Sequence, residues 1–174
     1  MDQVTSGRSV ALLRGINVGP TTKVPMAMLR ELFAEAGATG VSTVLNSGNV
    51  IFDGRVDAPA LEKRIAAETG VSTRLLIIAP ARFRRIVEAF PFAGDESRLT
   101  ITFLSTIPAG VVVPQSLGSE LVVIGSEAVY QSLPDGIANS RLTPTFWRQF
   151  GPDATARNLR TATKLLALVE AGSS

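Results

Sequence analysis

The sequence predicts an α+β protein: a ferredoxin-like βαββαβ first half packed with a second, smaller α+β half, a two-lobed sandwich of antiparallel sheets and helices. Three observations carry this expectation. Apolar, β-prone runs alternate with segments whose apolar residues recur at helical spacing up to residue 79. Glycine, proline or asparagine stands at most of the boundaries between them. From residue 80 a helix opens a second mixture of helices and about three strands, with no repeat of the first half and no low-complexity linker. The lobes are expected at 8–79 and 80–172, in close contact.

The elements follow in order. "SVALLRGINV" (9–18) is apolar and β-prone and predicts a strand. "PMAMLRELFAEAG" predicts a helix with Met28, Leu29, Leu32, Phe33 and Ala36 on one face, Pro25 in its first turn and Gly37 past its end. "VSTVLNSGNVIFDG" (41–54) predicts a hairpin with Ser47-Gly48 as a two-residue loop. "DAPALEKRIAAETG" predicts a helix that buries Leu61 and Ile65 and stops at Gly70, and "VSTRLLIIA" a fourth strand.

"PARFRRIVEAF" (80–90) spaces Phe83, Ile86, Val87 and Phe90 on one helical stripe. "RLTITFLS" (98–105) is a strand, and "ELVVIGSEAVYQSL" (120–133) a hairpin turning at Gly125-Ser126. Residues 106–119, punctuated by proline and glycine, give no assignment. A loop "PDGIANS" leads, with Ser140 as a potential cap, to a short helix at "TPTFWRQF" anchored by Phe146 and Trp147. Tyr130 falls in the core or on a sheet face. The chain closes on "TARNLRTATKLLALVEA", read as one helix capped by Thr155 and burying Leu159, Ala162, Leu166 and Val169.

The 174 residues are 45% hydrophobic and 18% charged, enough to bury a core. Frayed ends are expected at "MDQVTSGRS" and "AGSS". No apolar run approaches the roughly 20 residues of a membrane span, and the polar N-terminus lacks a signal core, so a cytoplasmic protein is expected. Cysteine and histidine are both absent. Disulfides, thiolate catalysis, a Ser-His-Asp triad and Cys- or His-ligated metal are thereby excluded, and no metal site is expected. Catalysis would fall to carboxylates, lysine, tyrosine or an exogenous cofactor whose identity the sequence does not give. A net charge of +2 is too small to argue for nucleic acid.

Two stretches suggest anion chemistry. In "LRGINVGPTTK", Gly15 and Gly19 permit close backbone approach, Asn17 and Thr22 offer hydrogen bonds, and Lys23 brings a charge just before a helix. The pattern is neither a Walker A loop nor a G-x-G-x-x-G fingerprint, and Pro25 removes one N–H donor. The bland alternative is a structural loop holding Arg14 in a buried ion pair. In the last helix, Arg157, Arg160, Thr161 and Lys164 share one face, with both arginines near the N-terminus, where cations oppose the dipole. That suggests an anion to bind; a solvated basic face, or arginines pairing with Asp153 and other carboxylates, is the alternative. "LNSGN" reads first as turn chemistry, with Asn46 and Asn49 able to present amides. Low aromatic content argues against a base-stacking sheet.

Together "ALLRGINVG", "KVPMAMLRELF", "STVLNSGNVIF", "VYQSLPDGIANSRL" and "TARNLRTATKLLAL" resemble the bacterial domain-of-unknown-function family 1697, over residues 8 to 170. The resemblance implies a cytoplasmic α+β protein with two ferredoxin-like-related lobes and no assigned activity. Its motif positions fall on Arg14, Gly15, Asn17 and Gly19, on Ser47, Gly48 and Asn49, on Pro134, Asp135 and Gly136, and on Arg157, Asn158 and Lys164. Departures are Pro20 where a second glycine is usual, Leu159 where an aromatic is common, and extra valine and proline in 106–119.

The expected function is binding of a phosphate- or nucleotide-like anion. The expected site comprises Arg14, Gly15, Asn17, Gly19, Lys23, Ser47, Gly48 and Asn49 with Arg157, Asn158, Arg160 and Lys164. An enzyme acting on a phosphorylated small molecule, and a single-stranded nucleic-acid module, are the alternatives. No membrane partner is expected, and the oligomeric state is not legible.

Overall fold

The computed structural model describes residues 8–172. The expected frayed ends lie mostly outside that range. The protein is α+β, with two four-stranded antiparallel sheets. Packing divides the chain into two compact units: residues up to Arg84 together with those from Leu165, and Arg85–Lys164. Among the described residues no helix is long and apolar enough to cross a membrane.

The first unit runs β1 (Ser9–Leu13), α1 (Met26–Glu35), β2 (Thr39–Val44), β3 (Asn49–Asp53), α2 (Ala58–Thr69) and β4 (Leu75–Ile78). This is the βαββαβ order expected, and the sheet order β2-β3-β1-β4 inserts β3 between β1 and β2. Ala11, Leu13, Val50 and Phe52 pack in one cluster with Leu29, Leu32 and Phe33 of α1 and Leu61 and Ile65 of α2. Asp57 caps α2 by accepting from Ala60 N at 3.0 Å, and Gly70 closes it at φ +73°.

Several boundaries differ from the sequence expectation. β1 ends at Leu13, not at residue 18, because positive φ at Gly15 and Asn17 breaks the extended run. Ala36 is exposed, lying at the cap beyond the last helical turn. The β2–β3 loop holds four residues, Leu45–Gly48, since the last register pair is Val44 with Asn49. The extra turn puts Leu45 at φ +59°, as well as Gly48 at +86°.

α3 (Pro80–Glu88) straddles the division. The second unit continues with a 3-10 turn (Glu96–Arg98), β5 (Leu99–Phe103), β6 (Leu121–Ile124), β7 (Ala128–Ser132), α4 (Pro144–Trp147), β8 (Thr155–Asn158) and α5 (Leu159–Ala171), whose end passes into the first unit. The sheet order is β6-β7-β5-β8. Residues 104–119 form no helix or strand, and Val111 and Val113 pack against Leu104, Val129, Phe146 and Phe150. Thr143, not Ser140, caps α4 through Phe146 N, with Pro144 in the first turn.

The largest correction concerns the chain end. Thr155–Asn158 is a strand paired with Thr100–Phe103, so this unit has four strands, not three. Cross-strand pairing and the burial of Thr155 override the helical pattern seen in sequence. The helix starts at Leu159, with Asn158 Oδ1 accepting from Thr161 N at 2.9 Å. Its buried residues are Thr161, Ala162, Leu165 and Val169; Leu165 replaces the expected Leu166, and Thr161 leaves the expected exposed face.

Tyr130 lies in the core of the second unit. Its hydroxyl donates to Ile86 O at 2.7 Å, its ring meets Phe90 edge-on, and burial pushes its pKa up to about 12. A phenol whose folded pKa exceeds its unfolded value stabilises fully below the unfolded pKa near 10 and loses that contribution as pH rises through the folded one. Because Tyr130 is the chain's single tyrosine, tyrosinate absorbance reports it alone. It is expected to titrate near pH 12 in the native protein, with stability falling above pH 10. Tyr130→Phe is expected to flatten that fall; titration at the free-tyrosine value in folded protein would contradict the burial argument.

Candidate functional site

The segment from Arg14 to Pro25 is a closed loop made by one side chain. Asn17, at φ +54°, accepts from Val24 N at 2.9 Å through Oδ1. Its Nδ2 donates to Val24 O at 3.1 Å and to Asn46 O, in the hairpin loop, at 2.6 Å. The Asn17 N–H donates to Thr22 O, and the Thr22 hydroxyl accepts from Val18 N and donates to Val18 O. Gly15 and Gly19, at φ +72° and +86°, allow the reversals this ring needs. Ile16 is buried beneath it. The asparagine thus fixes the loop to itself and to the neighbouring hairpin.

Arg14 follows the strand, exposed rather than buried; its N–H donates to Arg74 O. The other sequence-expected residues of this unit divide by role. Asn49 is fully buried, donating to Val44 O and Ser47 Oγ, so it holds the hairpin and presents no amide outward. Gly48 is buried against Leu13 and Ile16.

A cavity of about 370 Å³ opens beside the loop, bounded by Asn17, Gly19, Lys23, Pro25, Met26 and Asn46. Lys23 is exposed and makes no ion pair or hydrogen bond among the described residues. Pro25 sits at the N-cap, outside the first helical turn, so the N–H groups of Met26, Ala27 and Met28 remain. None of them has a side-chain cap, and the first turn of α1 carries no acidic residue. The positive end of α1 is therefore uncompensated, and its first residue, Met26, borders this cavity. The sequence suggests a donor lost to the proline; its position one residue earlier removes that objection.

Arg157, Asn158, Arg160 and Lys164 belong to the second unit. Arg157 lies on β8, so the expected helical face does not exist and the dipole argument for it lapses. Its Nη1 donates to Thr155 Oγ1 at 2.9 Å and to Ala156 O at 2.8 Å, and burial pulls its pKa down to about 10. Arg160 is exposed and pairs with Asp95 at 3.8 Å, and Lys164 is exposed. The expected pairing of these arginines with carboxylates is thus met for Arg160 at Asp95, whereas Asp153 accepts from Ser105 N and Ser105 Oγ.

A second cavity, about 200 Å³, lies in this unit against Arg98, Thr100, Leu133, Ile137, Ala156 and Asn158. Ser97 and Arg157 complete its wall. Arg98 and Thr100 do not stand out in the sequence, because nothing local marks a strand threonine as facing a cavity. Among the described residues no group of three or more carboxylates could hold a metal ion.

These features define an α+β protein with a preorganised polar loop at the end of a four-stranded sheet. The chain belongs to the family described as "Protein of unknown function (DUF1697)", whose model matches residues 7–130. It is similar in fold to the conserved bacterial protein SP0830 from Streptococcus pneumoniae, at 23% identity and a TM-score of 0.70, over 94% of this chain and 98% of that one. No curated protein is detectably similar to the chain.

Proposed function

We propose that the protein binds a phosphate-bearing, nucleotide-like anion at the cavity of the first unit. One observation carries this reading: the uncapped N-terminus of α1 and the unpaired Lys23 ammonium share one cavity wall. A volume of about 370 Å³ falls within the roughly 300–1,000 Å³ typical of small-molecule sites. The Asn17 ring fixes the loop before binding, which lowers the ordering cost. The strand order of this unit also supports the ferredoxin-like reading. A nucleic-acid platform is less favoured, because β1, β3 and β5 bury residues of both faces.

Isothermal titration with inorganic phosphate at low ionic strength tests the reading. Saturable binding that weakens with salt is expected. Lys23→Gln is expected to weaken it about fivefold, the scale of about 1 kcal/mol for an exposed charge pair. Equal affinity in that variant would remove Lys23 from the site.

A further inference from the structure

The second cavity has a different chemistry. Register pairs Thr100 with Asn158 across β5 and β8, and with Gln131 across β5 and β7. Directly paired residues share a sheet face, with Cβ atoms about 4.5–5.5 Å apart. Thr100, Ala156 and Asn158 therefore point together into the cavity they line, whereas the Arg157 side chain leaves from the opposite face.

Thr100 is only 4% exposed, and its hydroxyl makes no hydrogen bond within the described chain. A hydroxyl that has no internal partner and lines a cavity is available to bond a group placed there. Two residues along the same face, Thr102 Oγ1 is fully enclosed without a partner, whereas Thr100 Oγ1 is not fully enclosed. Asn158 caps α5 through Oδ1, which turns its Nδ2 donors away from the cap. Behind it stands the N-terminus of a 13-residue helix.

Charge adds to this. Arg98 donates through Nη1 to Pro134 O and lies 4.0 Å from Asp95, which it shares with Arg160. Hydrogen bonds from Ser97 hold the Asp95 pKa below its ordinary value. Arg98 lines the cavity and supplies positive charge there. Leu133, Ile137 and Ala156 supply an apolar wall.

We propose that this cavity binds a small oxyanion carrying a short apolar group, either a phosphate monoester or a short-chain carboxylate. The anion head accepts from Thr100 Oγ1, Asn158 Nδ2 and Arg98, and the apolar group lies on Leu133 and Ile137. A volume of about 200 Å³ matches a small head group rather than a whole nucleotide. This site is independent of the cavity in the first unit.

Backbone-amide NMR, titrating the full chain separately with methyl phosphate and with butyrate, tests it by location. Saturable shifts are expected at Thr100, Asn158 and Leu159, with a dissociation constant of about 1 mM or tighter for one of the two. Which probe saturates first identifies the head group. Thr100→Val removes the hydroxyl at constant shape and is expected to keep the fold while weakening binding about tenfold, the factor that one charge-assisted hydrogen bond supplies. Arg98→Gln is expected to weaken binding similarly and to reduce its salt dependence. Binding unchanged in Thr100→Val, shifts confined to the loop around Lys23, or no saturation by either probe would overturn the proposal.

Discussion

Gly48→Ala is expected to lower the unfolding free energy by about 3 kcal/mol, the sum of two costs. At φ +86° an L-residue carries roughly 1 kcal/mol of left-handed strain. A Cβ there would also lie 2.8 Å from Leu13 Cβ and 2.8 Å from Ile16 Cδ1. The isoleucine terminus can rotate, but the Leu13 Cβ is fixed by β1, so overpacking adds about 2 kcal/mol. Gly15→Ala separates the two effects. Gly15 sits at φ +72°, and a methyl added there would meet no atom within 4 Å, so only strain, about 1 kcal/mol, should appear. Denaturant unfolding followed by circular dichroism measures both. Equal losses at the two glycines would show that the close approach at Gly48 costs nothing.

Glu120→Ala is expected to cost a similar amount, about 3 kcal/mol, for an opposite reason: lost acceptors. The Glu120 carboxylate is buried. It accepts from Gln131 Nε2 at 3.1 Å, Ser140 Oγ at 2.7 Å and Arg141 N at 2.7 Å. Truncation leaves three donors facing an apolar methyl and unties the segment after β7. The chain's single tryptophan, Trp147, lies in the same unit, so its fluorescence follows this transition. Glu31→Ala, at an exposed position of α1, is the control and should change stability by less than about 0.5 kcal/mol. A midpoint for Glu120→Ala within that range would mean that water replaces the carboxylate without cost.

The contrast between these residues marks what a sequence can declare. Gly48 is legible because turn chemistry is local: a glycine between polar residues and two β runs needs positive φ, whatever surrounds it. The βαββαβ order is legible for the same reason, since Leu29, Leu32 and Phe33, or Leu61 and Ile65, declare their helix by spacing alone. Glu120 is not legible. Its donors lie 11, 20 and 21 residues further on, and no periodicity connects them. The Thr155–Asn158 segment reads wrongly as helix because its pattern continues into a true helix; only the pairing with Thr100–Phe103, some 55 residues earlier, makes it a strand. That error displaces Arg157 from the expected basic face. In the loop after β1, the sequence points to Asn17, Gly19 and Lys23, but not to the reason they stand together. The Asn17 amide closes the ring on Val24 and Asn46, and that closure depends on a hairpin distant in sequence.

Phosphate held by the first turn of α1 and Lys23 is the central claim. Backbone-amide NMR of Met26, Ala27 and Met28 during titration with inorganic phosphate tests it most directly, since these N–H groups precede the first helical hydrogen bond. Saturable shifts are expected at these three amides and at Lys23, all fitting one dissociation constant that rises in Lys23→Gln. Amides that stay in place while phosphate saturates elsewhere, or a chain that phosphate leaves unperturbed, would contradict it.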